Sequence, residues 1–214
     1  MSKKYEIFLF DLDGTITDSA LGITNSVMYA LKKFGIEETD RTKLYKFIGP
    51  PLTESFEKFY GFTKEQSLDG VKYYREYYHD KGIYENRVYD GLEEVLKKIN
   101  EAGKRAIVAT SKPEEYAKII IDHFHLTQYF ACVAGMEMDG GRGTKAQVIT
   151  YALEKNDITD KSKALMIGDR EHDVIGAHEN GLDCLGILYG FGSRKEFEEA
   201  GADYIRENVE DILQ

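Results

Sequence analysis

Short apolar runs alternate along this chain with longer segments of helical period, a pattern suited to a parallel sheet wrapped by helices. The runs are Ile7 to Phe10, Ala106 to Ala109, Phe130 to Ala134, Ala164 to Ile167 and Leu185 to Leu188, with a weaker one at Asp203 to Ile205. Helices are expected between them, over Gly91 to Ala102, Glu114 to His123, Thr144 to Lys155, Val174 to Asn180 and Arg194 to Ala200. The alternation fails once. Roughly 75 residues separate the first run from the helix at Gly91 without a convincing buried strand, too many for a loop. An inserted helical domain is the economical explanation, with helices over Ser19 to Phe34, Arg41 to Ile48, Pro51 to Tyr60 and Thr63 to Lys81. Gly35, Gly61 and Gly82 act as stops and Pro51 as a start. The expected fold is therefore α/β: a doubly wound, Rossmann-like parallel-sheet core of residues 1–16 and 87–214, carrying a small all-helical cap domain at 17–86. At 214 residues the chain is long enough for such a core with an insert.

Open parallel sheets collect ligands at the carboxyl ends of their strands, and two such ends are acidic here. Asp11 follows the first run and Asp13 lies two residues on, so both carboxylates can turn toward one point. Gly14 permits the tight turn that follows, and Thr15 can donate a hydrogen bond to an anion. A carboxylate can attack phosphorus while a second one shuttles the leaving-group proton. Alone, this segment reads equally well as a strand-ending turn, because Asp and Gly are both favoured in turns. The second acidic end, Gly168-Asp169-Arg170-Glu171-His172-Asp173, shifts the balance, since convergent acids after two buried strands mark a site.

Magnesium takes hard oxygen ligands and keeps several waters. Asp11 and Asp169 can supply the carboxylates and Asp13 its backbone carbonyl, while Asp173 is placed to orient a metal-bound water or a neighbouring side chain. His172 has no second histidine at metal spacing and reads as a surface or capping residue. With 28 Lys and Arg against 38 Asp and Glu, the net charge is −10. That excludes most backbone-driven nucleic-acid binding, and an anionic ligand then needs a local cation. Cys132 and Cys184 show neither CxxC nor zinc-type spacing and read as small buried hydrophobes, and no apolar run is long enough to span a membrane. The expectation is a cytoplasmic protein with a reducing surrounding, and nothing in the sequence separates a monomer from a homodimer.

Asp11 to Thr15 (DLDGT) and Gly168 to Asp173 (GDREHD) together resemble the first and fourth motifs of the haloacid dehalogenase superfamily. The resemblance implies a second motif at Thr110-Ser111-Lys112-Pro113, where Thr110 would bind the transferred phosphoryl group with Ser111 beside it. It also implies a third-motif lysine, for which Lys145 is favoured over its competitor Lys112. The helical insert is similar to the cap of the phosphoglycolate phosphatase-like branch. Within it Phe47 to Leu52, including Gly49, resembles a loop facing the active site, although an ordinary Gly-Pro helix break accounts for it equally. Arg142, flanked by Gly140, Gly141 and Gly143 in an expected mobile loop, is a candidate for a substrate anion. Tyr73, Tyr74, Tyr77 and Tyr78 pair at i and i+4, to cover a ligand or, more plainly, to pack between cap and core.

What the resemblance implies is a Mg2+-dependent phosphatase acting on a small phosphorylated metabolite through an aspartyl-phosphate on Asp11, with Asp13 as general acid and base. Halide-releasing members lack the second carboxylate. Phosphoglycolate-like substrates come first, and a 5'-nucleotidase acting on nucleoside monophosphates is the alternative. A sugar-phosphate mutase shares the catalytic pair, and a catalytically idle phosphate- or protein-binding regulator is the reading from another class.

Overall fold

The computed structural model describes residues 4–138 and 141–214. The chain divides into two compact units, Asp18–Arg87 and the remainder.

The larger unit is built on six parallel strands: β1 (Ile7–Phe10), β2 (Arg105–Pro113), β3 (Phe130–Met136), β4 (Ala164–Gly168), β5 (Asp183–Ile187) and β6 (Tyr204–Arg206). Their order is β3-β2-β1-β4-β5-β6, so β1 lies inside the sheet and the chain switches side across it. Every residue of β1 is buried. Ile7 and Leu9 join a core cluster with Ile107, Ala109, Val148, Ile149 and Met166, while Phe8 and Phe10 point to the opposite face and are buried there. That two-sided burial is why the strand is apolar throughout rather than alternating. Each such side chain contributes about 1.5–3 kcal/mol on leaving water.

Two boundaries differ from the sequence expectation for identifiable reasons. Strand β2 continues past Ala109 to Pro113 because its pairing with β3 slips, Thr110 facing Gly135 and Pro113 facing Met136. A bulge of this kind leaves no hydrophobic signature. The helix expected from Val174 begins at Glu171. Its first turn holds Glu171 and Asp173, acids that suit a helix N-terminus as well as they suit a ligand loop.

In the helical unit, α1 (Ala20–Lys33), α2 (Leu52–Tyr60) and α3 (Lys64–Tyr77) occupy the expected places. The α-helix expected from Arg41 is instead a 3-10 helix, Arg41–Phe47, opened by the Asp40 side chain accepting from the Thr42 amide at 3.1 Å. The long helix expected to reach Lys81 ends at Tyr77 and passes into a π turn, Tyr78–Gly82. Its start is fixed by a capping box between Thr63 and Gln66. Tyr74 and Tyr78 stack at 5.2 Å and are both buried, and the half-buried Tyr73 meets Phe34 at 5.7 Å. Four more helices, α4 (Leu92–Glu101), α5 (Glu114–His123), α6 (Lys145–Lys155) and α7 (Glu171–Glu179), cover the sheet, followed by the short α8 (Arg194–Ala200). Cys132 and Cys184 are buried free thiols, and among the described residues no helix is long and apolar enough to cross a membrane.

Candidate active site

Strand register assembles the site. Phe10 is level with Val108 on one side and with Ile167 on the other, so the residues just beyond these three positions emerge together. The Asp11 amide donates to the Ile167 carbonyl at 2.9 Å, fixing the end of β1. Lys145 opens α6, whose first turn is set by a capping box between Thr144 and Gln147. Its ammonium ion-pairs with Asp11 Oδ1 at 2.9 Å and Asp173 Oδ1 at 2.7 Å, and donates to the Ala109 carbonyl at 3.0 Å. Burial alone would lower the lysine pKa. Asp11 and Asp173 outweigh it and hold the ammonium above the ordinary lysine value.

Asp169 has a different environment. Its Oδ2 accepts from the Phe191 amide at 2.8 Å, whereas its Oδ1 is buried without a hydrogen-bond partner. Desolvation, then the charges of Asp11 and Asp173, push its carboxyl well above the usual carboxylate range. Asp173 is likewise raised by burial, to about 6, with Lys145 opposing and Asp11 reinforcing the shift. Arg170 donates its amide to Asp173 Oδ2 at 3.1 Å. A second lysine converges here as well: Lys112 Nζ lies 2.6 Å from Asp13 Oδ2.

Asp11, Asp169 and Asp173 bring one carboxylate oxygen each to within 4.8 Å of one another. Counting Asp13 as well, four carboxylates face two ammonium groups, Lys112 and Lys145. A buried excess of negative charge with an orphaned oxygen on Asp169 is costly unless it is neutralised. Hard oxygen donors and an excess of negative charge are what a small divalent cation requires, so the residues present fit one. Asp173 engages Lys145 with Oδ1 and the Arg170 amide with Oδ2, whereas Lys145 meets Asp11 through Oδ1 and Asp169 Oδ1 has no hydrogen-bond partner, so Asp11 and Asp169 are the better placed of the three to touch it.

The remaining expected residues fall out unequally. Thr110 is buried and its hydroxyl accepts from the Lys112 amide at 3.2 Å, leaving its proton to donate. Thr15 is buried with a hydroxyl that has no hydrogen-bond partner, and Tyr189 donates to its carbonyl at 3.0 Å. Ser111 is half-buried on the β2 bulge. Gly14 has φ +88°, and a Cβ there would sit 2.1 Å from Asp169 Oδ2. Gly14→Ala is therefore expected to displace Asp169 and lower Tm by about 5 °C or more, measured by thermal denaturation.

Gly49 lies in the helical unit with φ +104°, between the 3-10 helix and α2. Arg142, expected to meet a substrate anion, is engaged elsewhere: its donors go to the Gly135 carbonyl, Glu137 and Glu114, and its guanidinium stacks on Tyr151 at 3.9 Å. None of these contacts is with the Asp11 cluster. Gly140, from the glycine loop expected around it, lies outside the described residues. His172 sits half-exposed in the first turn of α7, apart from the carboxylate cluster. The segment Tyr189-Gly190-Phe191-Gly192, which supplies the amide that holds Asp169, was not anticipated. Two glycines directly after an apolar run were its signal.

A family model described as haloacid dehalogenase-like hydrolase matches residues 8–187. The chain belongs to that family. Within the haloacid dehalogenase-like hydrolases, it is 45% identical to a Pseudomonas aeruginosa protein named 5'-nucleotidase, over 90% of this chain and 87% of that one. A protein from the same organism named phosphoglycolate phosphatase 1 is 26% identical, covering 97% and 78% respectively. A crystal structure described as a predicted phosphatase from Clostridium acetobutylicum superimposes with TM-score 0.94 at 48% identity, over 98% of this chain and 97% of that one. This member thus sits among haloacid dehalogenase-like phosphatases.

Proposed function

We propose that the chain is a magnesium-dependent phosphoric monoester hydrolase working through an aspartyl-phosphate, with nucleoside 5'-monophosphates as the first substrate class to test. The observation that carries the reading is the pair Asp11 and Asp13 at the end of β1, each facing its own buried lysine, beside the orphaned Asp169 oxygen. In the first half-reaction the Asp11 carboxylate attacks phosphorus in line, the bond to the ester oxygen breaks, and Asp13 gives the departing alcohol its proton. In the second, Asp13 takes a proton from water as it attacks the same phosphorus, and Asp11 leaves with inorganic phosphate released. Lys145 and the Thr110 hydroxyl offset charge on the phosphoryl oxygens. Magnesium held by Asp11, Asp169 and the Asp13 carbonyl would neutralise phosphoryl charge and orient the ester.

The preference for nucleotides over phosphoglycolate rests on the 45% identity to the nucleotidase against 26% to the phosphoglycolate phosphatase. Phosphate release from AMP, phosphoglycolate and p-nitrophenyl phosphate, with Mg2+ and with EDTA, is the test. Turnover that needs Mg2+ and is faster on AMP is expected. No release from any of the three would overturn the reading, and a preference for phosphoglycolate would reverse the substrate assignment.

Metal binding also has a pH signature. In metal-free protein the raised carboxyl of Asp173 holds its proton more tightly folded than unfolded. Its stabilising contribution is complete below the unfolded value near 3.8 and is lost as pH rises through about 6. Protons and cation compete for the cluster, so the Tm gain from Mg2+ is expected to be larger at about pH 7.5 than at about pH 5. An equal gain at both would contradict a carboxylate site.

A further inference from the structure

Lys112 and Lys145 are competitors for one role in the sequence, yet they occupy two places in the fold. Lys145 faces Asp11 and Asp173, while Lys112 ion-pairs with Asp13. We propose that Lys112 is a positioning residue for the Asp13 carboxylate, a step that rests on the phosphatase reading above.

The geometry separates the two oxygens of Asp13. Oδ2 is tethered by the Lys112 ammonium at 2.6 Å, and Oδ1 is buried and accepts no hydrogen bond. The tethered oxygen fixes the side-chain rotamer. The other is the one left to exchange a proton with the departing alcohol and then with the attacking water.

A specific distortion of the strand aims Lys112 there. Between Thr110 and Pro113 the register of β2 against β3 slips, and the Lys112 amide turns back onto the Thr110 hydroxyl at 3.2 Å. Two residues apart, Thr110 and Lys112 share one face of a strand, and the slip ties them together through that amide. The bulge is accommodated by Gly135 on β3, where a Cβ would lie 2.6 Å from the Lys112 carbonyl. One distortion thus orients the Thr110 hydroxyl and the Asp13 tether together. Both side chains of the pair are nearly closed off from solvent, 5% and 13% exposed, so the contact is screened far less than a surface ion pair.

The test uses leaving groups, because p-nitrophenolate departs without a proton and an alkoxide does not. In Lys112→Met, kcat/KM for AMP is expected to fall about 100-fold, and for p-nitrophenyl phosphate by less than about three-fold. Asp13→Asn should show the same selectivity, and the double variant should be no worse than Asp13→Asn alone. Lys112→Gln, which keeps a donor, repeats the comparison should Lys112→Met fail to fold, with circular dichroism reporting folding in each. Equal losses on both esters, a rise in KM at unchanged kcat, unaltered activity, or additive losses in the double variant would each overturn the proposal. An inactive wild-type protein would overturn the phosphatase reading, and this inference with it.

Discussion

Asp11→Asn is expected to lower phosphate release by about four orders of magnitude or more while leaving Tm within about 3 °C of wild type. The substitution keeps the shape of a side chain that is almost wholly buried, 8% exposed, and removes only the nucleophilic oxygen's charge. Asp11 lies between an attraction, Lys145 at 2.9 Å, and a repulsion shared with Asp169 and Asp173 in the same cluster. Neutralising it removes both, so the folding effects oppose one another while the chemical effect has no compensation. Steady-state kinetics with AMP, beside a melting curve, checks both halves. Retained turnover would remove Asp11 from the mechanism.

Lys145→Met is expected to act on the fold as strongly as on the chemistry. Lys145 is the cation that faces both Asp11 and Asp173, and those two with Asp169 form a buried group of three carboxylates. Removing one partner from a buried ion-pair network leaves uncompensated charge and costs about 3–5 kcal/mol. For a chain of this size that is a fall in Tm of roughly 10 °C. The loss should shrink as pH falls, because a carboxylate that holds a proton no longer needs the lysine. Melting curves of the variant at neutral and acidic pH, in EDTA, read this directly. An unchanged Tm would mean that Lys145 does not carry the charge balance of the site.

The elements that determine the sheet were legible because their cause is local. Ile7 to Phe10 is apolar at every position since both of its faces are buried, and Arg194 to Ala200 is bounded by Ser193 and Gly201 as cap and stop. Asp11, Asp13, Asp169 and Asp173 were legible as two acidic strand ends, and the register of β1 between β2 and β4 brings the two ends together. What escaped depends on geometry that spacing does not encode. The β2 bulge separates Lys112 from Lys145, and no hydrophobic pattern marks a slip of pairing between Thr110 and Pro113. The Phe191 amide reaches Asp169 from 22 residues away, and a backbone donor has no residue signature. Arg142 carried a charge near glycines, which suggested an anion ligand, but Glu114, Glu137 and the Tyr151 ring absorb it. In the helical unit Tyr73, Tyr74, Tyr77 and Tyr78 fitted a ligand-stacking pattern but more plainly a packing one, and the burial of Tyr74 and Tyr78 agrees with packing.

The central claim is that Asp11 becomes covalently phosphorylated. Acid quenching of wild-type protein during turnover, borohydride reduction and mass spectrometry of the peptide spanning Asp11 and Asp13 test it most directly. Reduction of an acyl phosphate converts that aspartate to homoserine, and homoserine is expected at position 11, substrate-dependent and absent from Asp11→Asn. Homoserine at position 13, or sustained turnover with no modified residue at either position, would contradict it.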